Sequence, residues 1–502
     1  MSRIETPTIG VTASASTTRA QALALAAVCW GALAFGAAYP WAYWPLAVVC
    51  AAAGIIGMLG GREADGVSRY LAFALGAVAV AMLLQMVPLP LSWLQSINPR
   101  ALPVLADTDF RYGAGLTRFH PLSIDPESTG SALALYTSFT LLLFGMTRAL
   151  AVDHARRFVE AVTVVGVVLA LIGIVQKPMY TGQLLGFWEP ETPSTPFGPF
   201  INRNHFAGWM LMALPLTLAL LFGGLEQSLR AVKPEWRSRI LWLSSPEANR
   251  LILLAAAALV MALSLVMTMS RSGITAMAIS LMLTGWIVAR GLKGRSRRAV
   301  AAYLVALAVT TFAWAGADVI VARFSDANWS EFNDRRGAWA DAVGVASAFR
   351  LTGTGLNTYE TAARFYQRHD LEQFYGESHN DYLELMAEGG LLVGIPALVC
   401  LMLLVREVRR RMKEDPASTV WWVRRGAITG LIAIALQEAV DFSLQLPGNA
   451  VLFVILCAIA LHKPREPRMP ADPSRRGPSD ADRGSARPRL RVVVSNALAG
   501  SR

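Results

Sequence analysis

The chain has 502 residues, of which 54% are apolar and only 16% charged, with mean hydropathy +0.42 and a formal net charge of +11. So little charge in so much apolar sequence excludes a soluble multidomain protein and indicates a polytopic membrane protein. The basic excess follows the membrane topology, as the loop counts below show, and gives no reason to invoke nucleic acid.

In chain order, residues 1–20 form a polar cytoplasmic tail, and the apolar run that follows exceeds a signal-peptide core, so an uncleaved anchor is expected. Runs long enough to cross about 30 Å of hydrocarbon recur at 21–39, 43–59, 70–87, 131–148, 158–176, 205–222, 251–268, 272–290, 300–316, 389–405, 426–441 and 449–462. The expected fold is therefore all-α, with about twelve transmembrane helices. With the N-terminus inside, the inner segments hold 24 lysines and arginines against six in the short outer loops. That bias follows the positive-inside rule and places both termini in the cytoplasm. The four cysteines, Cys29, Cys50, Cys400 and Cys457, lie in apolar runs without CxxC spacing, which supports neither a disulfide framework nor a zinc site.

Within the transmembrane domain, 21–462, three outer loops stand out. Segment 88–130 is proline-dense and reads as an irregular surface segment rather than a domain. Segment 177–204 is rich in Pro, Gly and aromatics. Only 317–388 is expected to fold into a small helical periplasmic cap. Phe332, Trp339, Val343 and Ala346 recur there at near-helical intervals, Gly353-Thr-Gly355 breaks the pattern, and 358–368 resumes it. The basic tail 463–502, rich in Pro, Asp and Ser, reads as a disordered cytoplasmic extension.

Three outward-facing helix starts carry the chemistry: Asn202-Arg203-Asn204-His205, Ser270-Arg271-Ser272 and Ser378-His379-Asn380-Asp381. A helix N-terminus presents unpaired N–H groups and a partial positive charge, so it attracts anions. Three such ends on one membrane face, with added arginine, suit a diphosphate. Ser378 and Asp381 form a capping-box-like pair, which would place His379 in the first helical turn, where imidazolium is disfavoured. A neutral imidazole facing water meets the requirement for a general base; a plain interfacial histidine is the alternative. Arg271 sits near the hydrocarbon boundary, where an ionisable group is costly, and snorkelling to lipid phosphate is its alternative role. Asn204 is the expected N-cap of the sixth span, between Arg203 and His205.

Other polar residues are weighed with these. One of the adjacent pair Arg335 and Arg336 reaches a ligand at most. Glu438 and Asp441, at the outer end of the eleventh span, position an arginine or sugar hydroxyl or form a structural ion pair. Asp107-Thr-Asp109 has a spacing that can hold Mg²⁺ or Mn²⁺ on a diphosphate, but paired loop aspartates are usually only solvated, so neither metal nor cofactor is expected. Asn328-Trp-Ser330 matches a glycosylation triplet without establishing a secretory context. Trp329, Trp339, Tyr359, Tyr366 and Tyr375 offer stacking surfaces for sugars, or simply pack.

At these residues the sequence resembles the bacterial O-antigen ligase and O-antigen polymerase superfamily of membrane glycosyltransferases. The resemblance is carried by Gly198-Pro-Phe-Ile-Asn-Arg-Asn-His-Phe-Ala-Gly208, Ser270-Arg-Ser-Gly273 and Ser378-His-Asn-Asp-Tyr-Leu-Glu384. Gly353-Thr-Gly-Leu-Asn357, Asp441-Phe442 and Pro447-Gly-Asn449 add to it. It covers 195–455, and Gln85-Met-Val-Pro-Leu-Pro90 and Pro121-Leu-Ser-Ile-Asp-Pro126 extend it toward the N-terminus.

The resemblance implies inverting, metal-independent transfer of a glycan from an undecaprenyl diphosphate carrier to an acceptor hydroxyl, at the periplasmic face of the inner membrane. It places the base on His379 and diphosphate contacts on Arg271, Arg336 and Arg203, while Asn204, His205, Ser270, Arg335, Asn380, Glu438 and Asp441 are the expected binding residues around them. The acceptor is a glycan, a lipid A core or a protein. A rival class is a polysaccharide or lipid-linked oligosaccharide transporter, which predicts polar residues at the membrane midplane and inverted repeats. A purely structural scaffold leaves the His and Arg helix starts unexplained.

Overall fold

The computed structural model describes residues 15–60, 66–150, 152–191, 195–231, 236–291, 294–315, 329–369, 371–372, 374–414 and 419–463. The N-terminal tail up to 14, the tail from 464, Asn328 and the first part of the expected cap lie outside the described residues. The helices are α1 (Ala15–Leu33), α2 (Pro40–Gly60), α3 (Arg69–Gln85), α4 (Leu91–Ile97), α5 (Ala101–Thr108), α6 (Phe110–Gly113), α7 (Pro126–Ala149), α8 (Val152–Met179) and α9 (Arg203–Ala231). They continue with α10 (Trp236–Leu243), α11 (Pro246–Met267), α12 (Arg271–Gly291), α13 (Gly294–Ala315), α14 (Trp329–Ala348), α15 (Tyr359–Tyr366), α16 (Asp381–Glu414), α17 (Thr419–Gln437) and α18 (Pro447–Leu461). One two-stranded antiparallel ribbon joins β1 (Leu89–Pro90) to β2 (Phe119–His120).

Every apolar run read from the sequence overlaps one of the long helices. Six helices among the described residues are long and apolar enough to cross a membrane: α2, α7, most of α8, α9, α11 and most of α16. α3, α18 and the first part of α12 are shorter apolar helices. The chain is thus a polytopic helical membrane protein. Its four cysteines are free.

Local chemistry explains where the helices start and how closely they pack. Asp125 Oδ1 accepts the Ser128 N–H (3.2 Å) ahead of Pro126 on α7, and Ser245 Oγ accepts the Ala248 N–H (3.2 Å) ahead of Pro246 on α11. A proline in the first turn lacks only an N–H that has no helical partner there. Between α2 and α7 the backbones touch through Gly54, Gly57 and Gly145. A Cβ on Gly145 would lie 2.2 Å from the Gly54 carbonyl oxygen, so only glycine permits this small-residue contact. α9 is buried on nearly every side and forms the centre of the bundle, whereas the apolar stretch of α16 is largely exposed and offers its surface to lipid.

The cap is larger than the sequence indicates. Segment 88–130 is not irregular: it carries α4, α5, α6 and both strands. Leu94, Ala101, Val104 and Leu105 from this segment share a core with Ala342, Val345 and Phe349 of α14 and with Tyr359, Ala362 and Ala363 of α15. Its prolines do not prevent this, because Pro90 precedes α4 and Pro103 lies in the first turn of α5, where no helical N–H is lost. Helices over 329–348 and 359–366 form as expected, and the turn between them docks on a kink in α16. At that kink Gly390 has φ +53°, and Gly353 lies so close that a Cβ on it would meet the Glu388 carbonyl oxygen at 1.9 Å. Buried Gln85 ties α3 to both partners, donating to the Thr352 and Glu388 carbonyls at 2.7 and 2.8 Å.

Candidate functional site

Three helix N-termini meet at one end of the bundle. α12 begins as expected: Ser270 Oγ accepts the Gly273 N–H at 3.2 Å, and Arg271 is the first helical residue, half-buried. The other two caps shift by two residues from the sequence reading. Asn202, not Asn204, caps α9, with its Oδ1 taking the Asn204 N–H at 2.8 Å, so Arg203 is the first helical residue. Asn380, not Ser378, caps α16, its Oδ1 accepting from Tyr382 and Leu383, both at 3.1 Å. In both sites two candidate caps compete, and the asparagine whose side chain reaches a first-turn amide wins: N2 for Asn202, N2 and N3 for Asn380. His379 consequently precedes the helix rather than lying in its first turn.

A short turn, 438–446, between α17 and α18 binds these three ends together. The Glu438 carbonyl accepts the Asp381 N–H (3.1 Å) and the Ala439 carbonyl accepts Asn380 Nδ2 (2.9 Å), which fixes the start of α16. Asp441 Oδ2 accepts Ser272 Oγ at 3.2 Å, which fixes the start of α12. Ser443 Oγ donates to the Asn204 carbonyl at 3.3 Å, and Gln437 Nε2 donates to the same oxygen at 2.9 Å, which fixes the start of α9. Asn449 Nδ2 adds a bond to the His205 carbonyl at 3.0 Å. Glu438 and Asp441 therefore belong to this turn rather than to a transmembrane helix. Both are buried, at 2% and 0% exposure, and Glu438 Oε2 accepts the Leu444 N–H.

From the cap, α14 brings in Arg335. Its Nη1 donates to the Val440 carbonyl at 2.9 Å and its Nη2 lies 4.0 Å from Asp441 Oδ2. The structure thus separates the arginine pair: Arg335 reaches the site, while the Arg336 side chain is exposed, one helical step away. Arg203 lies within electrostatic reach of Asp441 and of Lys177 at the end of α8. Lys177, whose Nζ donates to the Met267 carbonyl, is a cation that the sequence did not single out. Its signal would have been a charged residue closing an apolar helix two loops from Arg271.

His379 occupies the centre with φ +54°, a left-handed conformation rare for a residue with a side chain. Its carbonyl accepts Trp339 Nε1 at 3.4 Å, and the preceding Ser378 N–H is held by Glu384 Oε2 at 2.9 Å. Gln445 Nε2 fixes that Glu384 through Oε1 at 2.8 Å and also bonds Asp381 at 2.9 Å. The imidazole packs edge-to-face on Phe442, with centroids 4.9 Å apart, and its Nδ1 is buried without a hydrogen-bond partner among the described residues. Burial, and secondarily the Arg335 cation, lowers its pKa to about 4, so the ring is neutral at pH 7. Burial, rather than the helix end invoked from the sequence, is the main influence on the ring. His205 also packs edge-to-face on Phe442, with centroids 4.7 Å apart, and its buried Nε2 likewise has no hydrogen-bond partner among the described residues.

Beside the His379 loop, the cap encloses a cavity of about 950 Å³ whose walls include Asp107, Asp109, Asp125, Glu377, Glu384 and Glu388. Asp109 caps α6 and approaches His120 Nε2 at 3.5 Å. Burial, reinforced by the Glu384 charge, raises the Glu377 carboxyl well above the usual range. Arginines gather at the helix starts with Lys177 at the end of α8, while the cavity under the cap is predominantly acidic, with Arg111 and Arg364 beside its carboxylates.

Fold and site define a polytopic helical membrane protein in which three helix N-termini and several arginines gather around His379. Residues 256–398 match the O-antigen ligase family, which supports the O-antigen ligase and polymerase superfamily for this chain. No curated protein matches it. The matched residues hold Arg271, Arg335, Arg336, His379 and Asn380; Arg203, His205, Glu438 and Asp441 lie outside them and join the same site in space.

Proposed function

We propose that this protein transfers a saccharide from an undecaprenyl-diphosphate carrier to an acceptor hydroxyl at the periplasmic face of the bacterial inner membrane. The observation that carries this reading is the convergence of three helix N-termini and Arg203, Arg271 and Arg335 on one turn beside His379. In the proposed topology about twelve helices cross the membrane and both termini are cytoplasmic, so the cationic end of the bundle and the cap face the periplasm.

The reaction needs few groups. The acceptor oxygen attacks the anomeric carbon while the bond from that carbon to the diphosphate oxygen breaks, inverting the configuration. His379 accepts the acceptor proton, since a hydroxyl is a poor nucleophile until deprotonated. The electron pair leaves with the lipid diphosphate, whose growing charge is stabilised by Arg203, Arg271, Arg335 and the helix ends, without a metal. Ser270, Asn380 and Asp441 keep these groups aligned. The acceptor enters through the cavity under the cap, whose predominantly acidic wall accepts hydrogen bonds from sugar hydroxyls.

A transporter would need its polar residues near the membrane midplane, whereas these gather at one end of the helices. The decisive experiment supplies the purified protein with a defined lipid-linked oligosaccharide and separate glycan, lipid A core and peptide acceptors, with products sized by mass spectrometry. A ladder of repeat lengths identifies a polymerase, and one discrete conjugate identifies a ligase of the acceptor modified. His379→Ala and Arg271→Ala abolish transfer while membrane insertion persists; wild-type rates in either variant overturn its assigned role. Cysteine labelling that puts 203, 271 and 379 on different membrane faces overturns the whole reading.

A further inference from the structure

Another cavity, of about 710 Å³, lies in the cap, and none of its wall residues belongs to the candidate site. Its charged wall residues are Arg100 before α5, Arg350 just past α14, Arg368 and His369 after α15, and a single carboxylate, Asp341. Asp341 is buried and already engaged: it accepts the Arg368 and His369 N–H groups at 3.1 and 3.2 Å and pairs with His369 Nδ1 at 2.7 Å. Among the described residues no carboxylate pairs with Arg100, Arg350 or Arg368, and Arg350 Nε donates to the Ser347 carbonyl at 2.9 Å. Arg100 and Arg368 both act electrostatically on Tyr366 in the same wall. Three arginines against one engaged aspartate make this cavity net cationic, opposite in sign to the one beside the His379 loop. Arg335 and Ser347 stand about 18 Å apart along α14, which separates these arginines from those gathered at the helix starts.

Leu351 and Thr352 in the wall of this cavity also line an adjoining apolar groove of about 470 Å³. The groove runs between Leu84 and Val87 at the end of α3, Leu89 and Leu122 of the cap, and Leu391 and Leu392 at the α16 kink. Leu84, Val87, Leu351 and Leu391 are exposed there, and so are Trp93 and Ile97, one turn apart on α4. Exposed tryptophan beside exposed aliphatic side chains marks a membrane boundary. In the proposed topology α3 ends at the outer edge of the hydrocarbon, so the groove meets the acyl chains and the arginines stand at headgroup depth. We propose that cavity and groove are two halves of one site for an anionic phospholipid, with its headgroup phosphate among Arg100, Arg350 and Arg368 and an acyl chain along the groove. A free anion would use the arginines but leave the leucines uncovered, and a zwitterionic lipid would bring a quaternary cation against the guanidinium groups. A lipid in this place touches the first cap segment, the end of α14, the turn after α15, α3 and α16, and braces the cap where Gly353 meets the α16 kink. This requires only that the chain spans a membrane, and holds whether or not the protein transfers glycan.

The test takes the full-length chain, delipidated in neutral detergent, and adds phosphatidylglycerol, phosphatidylcholine or glycerol phosphate. Binding is read by native mass spectrometry and stability by melting temperature. Phosphatidylglycerol is expected to stay bound and to raise the melting temperature by several degrees, an effect that fades as NaCl is raised. Phosphatidylcholine and glycerol phosphate leave the melting temperature near that of the delipidated chain. The double variant Arg100→Gln/Arg368→Gln is expected to weaken phosphatidylglycerol binding at least about tenfold. Leu351→Asp, which sets a carboxylate in the shared wall, weakens it as well, whereas Arg118→Gln, an exposed cap arginine outside both walls, leaves it unchanged. Should the double variant fail to fold, Arg100→Gln and Arg368→Gln singly supply the comparison. Equal stabilisation by phosphatidylcholine, the full shift with glycerol phosphate alone, or wild-type affinity in the arginine variants or in Leu351→Asp overturns the lipid site. A dimer of the chain that the arginine variants dissociate also overturns it, by placing a second copy on this face.

Discussion

Replacing each member of the arginine pair separately gives the sharpest prediction. Arg335 donates to the Val440 carbonyl at 2.9 Å and faces Asp441, which has no exposed surface, at 4.0 Å. A charge-assisted hydrogen bond contributes about 1.5–3 kcal/mol. At 4 Å and an effective dielectric constant near 20 the Coulomb attraction is about 4 kcal/mol. The Arg335 side chain is 28% exposed and water screens part of that attraction, so a net loss of about 2–4 kcal/mol is expected on truncation. Part of this loss falls on the leaving diphosphate, where removal of one fixed donor commonly costs about 100- to 1,000-fold in kcat. Arg335→Ala should therefore lower single-turnover transfer by at least about 100-fold. Arg336→Ala, with its side chain in solvent, should stay within about threefold of wild type. The assay is quenched-flow transfer from a labelled lipid-linked oligosaccharide at saturating acceptor, with detergent-extracted monodispersity as a folding control. Wild-type transfer by the Arg335 variant beside a crippled Arg336 variant would refute the assignment and favour the member of the pair implied by resemblance.

Other outcomes can be stated more briefly. Because the His379 pKa is lowered to about 4, kcat/KM should stay flat from pH 8 down to about pH 5; an acid limb near pH 6.5 would contradict a buried base. The folded-state pKa lies below the unfolded value, so the stability His379 contributes is complete above about pH 6.5 and is lost as pH falls toward 4, visible as a declining melting temperature. Asp107→Asn and Phe119→Ala, at the cavity wall away from His379, should raise the acceptor KM about three- to tenfold and leave the donor KM unchanged; equal shifts in both would remove the acceptor from that cavity. Gly353→Val should prevent the cap from docking on α16, lowering the melting temperature by several degrees, because its Cβ cannot share space with the Glu388 carbonyl.

Periodicity and hydropathy made the helices legible, since a membrane span must satisfy its backbone internally and therefore declares itself as a long apolar run. The three helix starts were legible for a related reason: Ser, Asn and Asp beside Arg or His at the head of such a run have few structural uses. Cap assignments missed by two residues because Asn202 and Asn204, or Ser378 and Asn380, have equivalent chemistry, and only geometry decides which reaches a first-turn amide. Segment 88–130 misled through its prolines, whose harmlessness depends on where each helix begins. The turn 438–446 was least legible. Glu438 and Asp441 looked like costly charges in a span because the apolar run was read through to 441, four residues past the true end of α17 at Gln437. Arg335 rather than Arg336 could not be chosen, since one residue of helical phase depends on how the cap docks.

The strap formed by 438–446 has a consequence for exchanging parts between relatives. A segment graft limited to 256–398 would import the histidine loop and two of the arginines but leave behind the peptide that holds them in register. Such a hybrid would carry every recognisable motif and still misalign them. Transplanting 88–455 as one block moves strap, base, cations and the cavity wall together, and is the smallest swap that should carry its substrate preference with it.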